Sequence, residues 1–158
     1  MTIEKGQAAP DFTLFDTEKK EVTLSAQKSQ AVLLLFFPLA FTSVCTAELC
    51  NIRDNIALYN KAKATVYGIS VDSIFTLGRF RDDQQLNFPL LSDFNREVSA
   101  AYGCLYENFV LGMKGVAKRS AFVIDKQGII QYAEVLENAG DQPDFKTINA
   151  VLEKLAQA

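Results

Sequence analysis

Cys45 is the side chain with the most chemical promise. It closes the segment Pro-Leu-Ala-Phe-Thr-Ser-Val-Cys, residues 38–45, where an apolar run ends and a helical pattern begins. A cysteine reacts as thiolate, and the free N–H groups and positive dipole end of a helix N-terminus favour that anion. A thiol of pKa ~8.5 is only about 3% ionised at neutral pH, whereas one lowered to ~6 is about 90% ionised, a difference of roughly 3.4 kcal/mol. Helix position alone rarely supplies that much, so a neighbouring cation is needed. The chain contains no histidine, which removes Cys-His and Ser-His pairs, histidine general bases and histidine metal ligands together. The cation must be Arg or Lys. Each residue also has a plainer reading. A cysteine on an apolar helix stripe is commonly a small inert core residue, Thr42 reads as a helix N-cap, and Pro38 reads as a strand terminator.

The elements that would position these residues follow from apolar spacing. Residues 31–37 are a continuous apolar run, the pattern of a central strand buried on both faces of a parallel sheet. From about Thr42, apolar residues recur at Cys45, Leu49, Ile52, Ile56 and Tyr59, which predicts one helix with Cys45 at its buried start. A strand at 66–71, a helix at 73–85, an extended Phe-Pro-Leu-Leu at 88–91 and a short helix at 95–102 complete a right-handed crossover. A hairpin at 12–15 and 22–24 precedes this unit, and a loop at 103–118 follows it. A second hairpin joins 120–124 to 129–135, and a last helix starts near Asp144 with Phe145, Ile148, Val151, Leu152 and Leu155 on one face. This order predicts an α/β thioredoxin-like fold, a central mixed sheet flanked by helices with an N-terminal hairpin, as a single domain over 1–158.

Composition limits the function classes. With 49% hydrophobic and 22% charged residues the chain is an ordinary globular one, which excludes disordered and collagenous classes. A net charge of −3 and a pI near 5.0 argue against a nucleic-acid partner. The start of the chain has no signal-like apolar stretch, and the run at 31–41 is too short to span a bilayer and contains Pro38, so no membrane association is expected. Three cysteines, an odd number in a chain too large to need disulfides, suggest a reducing, cytoplasmic setting.

Pro-x-x-x-Thr-x-x-Cys after an apolar strand resembles the active-site motif of the peroxiredoxins. The resemblance continues through Ala-Pro-Asp-Phe-Thr-Leu at 9–14, Gly-Ile-Ser-Val-Asp at 68–72, Phe-Pro-Leu-Leu-Ser-Asp at 88–93 and Arg-Ser-Ala-Phe-Val-Ile-Asp at 119–125. Among subgroups it is most similar to the alkyl hydroperoxide reductase E type, with a cysteine arrangement similar to the bacterioferritin comigratory protein type. It implies a thiol-dependent peroxidase, serving antioxidant defence, that reduces hydrogen peroxide or organic hydroperoxides through a cysteine sulfenic acid. Cys45 matches the peroxidatic cysteine, Thr42 the hydroxyl that contacts peroxide, Pro38 the residue that shields the site, and Arg119 the arginine completing the set. An in-line attack on an O–O bond needs such donors where charge develops. Arg119 also reads as a solvated edge charge beside Lys114 and Lys118.

Cys50 matches the resolving cysteine of the comigratory subgroup. On an intact helix, however, residues five apart have Cα atoms about 8.7 Å apart, beyond the ~7 Å reach of a disulfide. A Cys45–Cys50 bridge therefore requires local unwinding, and a helix-face cysteine is the alternative. Glu48 matches an acidic position common near the motif, where it would organise the helix start, meet the electron donor, or simply favour the dipole. Cys104 matches no catalytic motif and reads as structural. The resemblance implies no metal or other cofactor. It implies an external thiol reductant such as thioredoxin or a glutaredoxin-like protein, and a homodimer that would cover the apolar 109–113 loop, unless the same subunit covers it. Two readings compete: a redox-sensing interaction module, and a thiol–disulfide oxidoreductase, which the absence of Cys-x-x-Cys disfavours.

Overall fold

The computed structural model describes residues 3–27 and 29–157; Met1, Thr2, Lys28 and Ala158, which the single-domain reading included, lie outside the described residues. In chain order the elements are β1 (Thr13–Asp16), β2 (Glu21–Thr23), β3 (Ala31–Phe36), α1 (Ser43–Asp54), α2 (Ile56–Lys61), β4 (Ala64–Ser70) and α3 (Ile74–Gln84). Then come β5 (Leu90–Ser92), α4 (Glu97–Ala101), β6 (Ser120–Ile124), β7 (Ile130–Val135) and α5 (Phe145–Ala156). Short 3-10 turns lie at Leu24–Ala26 and Val110–Gly112.

The strands form one sheet in the order β2-β1-β5-β4-β3-β6-β7. β3, β4 and β5 are parallel, and β1 and β6 join them antiparallel. β3 is central, and its alternating side chains enter two separate core layers, as a strand covered on both faces must. Leu33 and Leu35 face α1, α2, α3 and α5 through Leu49, Tyr59, Phe80 and Ile148. Val32, Leu34 and Phe36 face the opposite layer with Tyr102 and Phe122. The expected thioredoxin-like architecture is present.

One element differs from expectation. The single helix predicted from Thr42 to Tyr59 is broken at Asn55, whose φ of −116° and ψ of 19° leave the helical region. The Asn55 side-chain amide donates to the Asn51 carbonyl at 2.8 Å, which also accepts from the Asn55 backbone N–H at 3.2 Å, so the side chain folds back onto the last turn of α1 where the helix ends. The apolar stripe carries no sign of this, because Tyr59 still reaches the core after the turn. The loop at 103–118 is tied by a bridge between Leu105 and Ala117 and packs Tyr106 and Val116 against Val71.

Candidate active site

β3 ends where Pro38, lacking an N–H, can no longer donate to the ladder; the last such bond runs from Phe37 N to Ile69 O. Pro38 is buried. The chain then crosses the carboxyl end of the sheet and enters α1 at Ser43, which makes Cys45 the third residue of the helix. This crossing is held by Asp72, just beyond β4. One carboxylate oxygen accepts from Ala40 N at 2.8 Å and from the Ser70 hydroxyl at 2.6 Å. Neither Ser70 nor Asp72 was singled out in the sequence as part of a site. The available signal was a Ser-x-Asp at the carboxyl end of a parallel strand neighbouring the one that leads to Cys45, where open α/β sheets form their crevice.

Thr42 is the N-cap residue of α1, exposed, and makes no side-chain bond to the helix amides; its hydroxyl donates to Leu39 O at 2.8 Å instead. The capping alternative therefore holds for its backbone position and not for its side chain. With the hydroxyl turned away, the N-cap supplies no acceptor to the first-turn N–H groups around Cys45. Cys45 itself is 1% exposed and belongs to the core layer beneath α1.

Arg119 reaches this point from the other side. β6 lies antiparallel to β3 with Ser120 opposite Phe36, so the residue before β6 emerges at the end of the sheet where β3 leaves it. The guanidinium is buried, donating from Nη2 to Cys45 Sγ at 3.2 Å and to Ala139 O at 3.0 Å, and from Nη1 to Glu48 Oε1 at 2.7 Å. The edge-charge alternative for Arg119 is thus corrected: register turns it inward, while Lys118 engages Glu137 outside. Burial works against its charge, yet Cys45 and Glu48 beside it outweigh that effect and hold the guanidinium protonated more firmly than usual.

Glu48 lies three residues after Cys45, on the same helix face, and is completely buried. It neither organises the first turn nor presents itself to an electron donor, because α1 has no acidic residue in its first turn and the carboxyl is enclosed beneath Arg119. Burial raises its carboxyl from 4.5 to about 7, against the lowering influence of Arg119.

Cys50 lies on the same unbroken helix as Cys45, half-buried, its thiol donating to Gln84 Oε1 at 3.5 Å. An advance of five residues turns the helix through about 140°, so the two sulfurs leave it on different sides and cannot bond without unwinding. Cys104 is buried in the opposite core layer, across the sheet from Cys45, and its thiol is pushed up to about 12, mainly by burial. In the 109–113 loop, Phe109 stacks on Tyr106 with ring centroids 4.9 Å apart, while Val110 and Leu111 are 59% and 93% exposed. Burial within the same subunit therefore applies to Phe109 and not to the loop tip. Among the described residues no three Cys, Asp or Glu side chains converge to hold a metal ion, and no helix is long and apolar enough to cross a membrane.

A thiol at a helix start, a buried guanidinium on its sulfur and a threonine hydroxyl three residues earlier form an arrangement suited to a reactive thiolate. Comparison with known proteins points the same way. The AhpC/TSA family matches residues 5–133. A putative peroxiredoxin of Mycobacterium tuberculosis is 42% identical over 134 residues, covering 84% of this chain and 85% of that protein. Alkyl hydroperoxide reductase E of Mycobacterium bovis is 41% identical over 136 residues, covering 84% and 86%. Among solved structures, peroxidoxin BcpB from Mycobacterium tuberculosis superposes with a TM-score of 0.85 at 30% identity, covering 97% of this chain and 98% of that one.

Proposed function

Since the chain belongs to the AhpC/TSA family and is a peroxiredoxin, a thiol-dependent peroxidase, we propose that Cys45 is its peroxidatic cysteine, with Arg119, Thr42 and Pro38 completing the site. The observation that carries this reading is the 3.2 Å bond from Arg119 Nη2 to Cys45 Sγ within a buried site. The Cys45 thiolate attacks one oxygen of a hydroperoxide, the O–O bond breaks, and the sulfur becomes a sulfenic acid while the other oxygen leaves as alcohol or water after gaining a proton. Arg119 stabilises the thiolate and the charge spread over the breaking bond, Thr42 orients the peroxide with its hydroxyl, and Pro38 keeps water from the sulfur.

The reading extends to hydrogen peroxide and organic hydroperoxides. Leu39, whose carbonyl receives the Thr42 hydroxyl, packs with Tyr106 and Phe109 and offers apolar surface to an organic tail. In the same reading Cys50 resolves the sulfenic acid after α1 unwinds, and an external dithiol, thioredoxin or a glutaredoxin-like protein, reduces the disulfide in the cytoplasm. The exposed Val110 and Leu111 favour a homodimer that covers them; a monomeric mass at all micromolar concentrations would remove that part. Cys45→Ser tests the core of the reading, because a serine hydroxyl without a base is negligibly ionised at neutral pH. The variant should consume no peroxide with a dithiol donor, and retained turnover would overturn the assignment.

A further inference from the structure

The chemistry above leaves Glu48 as a buried acid without a task. Of its two oxygens only Oε1 has a partner, Arg119 Nη1; Oε2 is enclosed with none among the described residues. Arg119 is also the residue whose side chain donates to the Cys45 sulfur. One guanidinium thus faces two acids in a buried site. With one of them ionised the group of three is neutral, and with both ionised it carries an uncompensated negative charge, which a buried site strongly resists. Tyr59 of α2 is a further titratable group near Glu48; its phenol is pushed up to about 12, mainly by burial, and stays neutral through the physiological range.

We propose that Glu48 is a positioning residue that carries a proton while Cys45 is a thiolate, leaving the charge of Arg119 undivided at the sulfur, and that loss of this proton divides that charge and weakens the thiolate. The inference rests on the reading of Cys45 as the peroxidatic cysteine. A carboxyl held at about 7 exchanges its proton within the neutral range, while its Oε1 and the Cys45 sulfur share one guanidinium. The proton comes from and returns to solvent. Glu48 touches neither the sulfur nor the peroxide, so its effect is transmitted entirely through the fork of Arg119, which grips both acids at once.

Two measurements that use no peroxide test this. The first is infrared titration of the wild-type protein from about pH 5 to about pH 9, with glutamate carboxyl groups isotopically labelled. A protonated-carboxyl band that disappears around neutrality, and is missing from Glu48→Gln, is the expected result. The second is the alkylation rate of Cys45 by iodoacetamide against pH, read by peptide mass. The wild type should show two inflections and the glutamine variant one, with the wild type slower by up to about tenfold once Glu48 is ionised. A single wild-type inflection that superimposes on the variant, or the absence of a titrating carboxyl band in the wild type, overturns the proposal. The labelled wild type retains that power even if the variant does not fold. Failure of wild-type Cys45 to react with peroxide would instead count against the peroxidatic reading, leaving both of these measurements valid.

Discussion

Replacing Arg119 by methionine removes the guanidinium while refilling much of the volume that its buried side chain occupies. Two bonds to acids are lost, the 3.2 Å contact with Cys45 Sγ and the 2.7 Å contact with Glu48 Oε1, together with the 3.0 Å bond to Ala139 O. A hydrogen bond to a charged group contributes ~1.5–3 kcal/mol, and at ~1.36 kcal/mol per decade its loss at the thiolate slows oxidation by about 10- to 100-fold. Removing a preorganised donor to the developing charge raises the expected loss to about 10²–10³-fold. Stability responds differently. Severing a buried ion pair costs ~3–5 kcal/mol when the surviving partner must stay charged. Glu48, already at about 7, escapes by taking up a proton. The loss at neutral pH is therefore ~1–3 kcal/mol, the cost of enclosed acceptors without donors, and it grows toward alkaline pH. Quenched-flow oxidation of Cys45 by hydrogen peroxide with mass detection, alongside urea unfolding at neutral and alkaline pH, measures both quantities. Arg119→Lys should fall between, since one ammonium cannot reproduce a fork that spans both acids. An oxidation rate within about threefold of wild type in Arg119→Met would refute the role given to this guanidinium.

Asp72→Ala should slow Cys45 oxidation and lower stability by ~1–3 kcal/mol, because Ala40 N and the Ser70 hydroxyl lose their shared acceptor; unchanged kinetics would show that the loop before α1 holds itself. After one equivalent of peroxide, intact-mass measurement of wild type should show loss of two hydrogens, whereas Cys50→Ser should gain one oxygen and overoxidise readily. A wild type that gains one oxygen and keeps its Cys50 thiol would make this a one-cysteine peroxidase. Because the Glu48 carboxyl lies at about 7 in the fold against an ordinary 4.5, the unfolded chain releases that proton first as pH rises. The stability Glu48 contributes is whole below about 4.5 and lost through about 7, an effect of about 3 kcal/mol. Urea midpoints of wild type and Glu48→Gln across that window test the sign, and parallel curves would contradict it.

Much of the molecule was legible because its signals are local. A seven-residue apolar run has the pattern of a strand covered on both faces, and Pro38 and Thr42 stand within one loop of Cys45, so strand, helix start and candidate nucleophile were readable together. That Arg119 and Glu48 belonged with them rested on resemblance, since 71 residues separate the two side chains that meet at 2.7 Å. Only the tertiary structure turned Arg119 inward, through the pairing of Ser120 with Phe36, and only burial converted Glu48 from a surface carboxylate into an acid near neutrality. Asp72 was invisible as a site residue for the same reason: its acceptor role exists only because β4 lies parallel beside β3 and delivers it to the Ala40 amide. The break at Asn55 also escaped, because a stripe of apolar residues records which side chains are buried and not where the backbone between them leaves the helical region. Apolar spacing and the types of neighbouring residues are properties of short segments and can be read in order along the chain. Desolvation and register arise only when distant segments share one enclosed space, and here they bring Arg119 and Glu48 together beside the Cys45 sulfur.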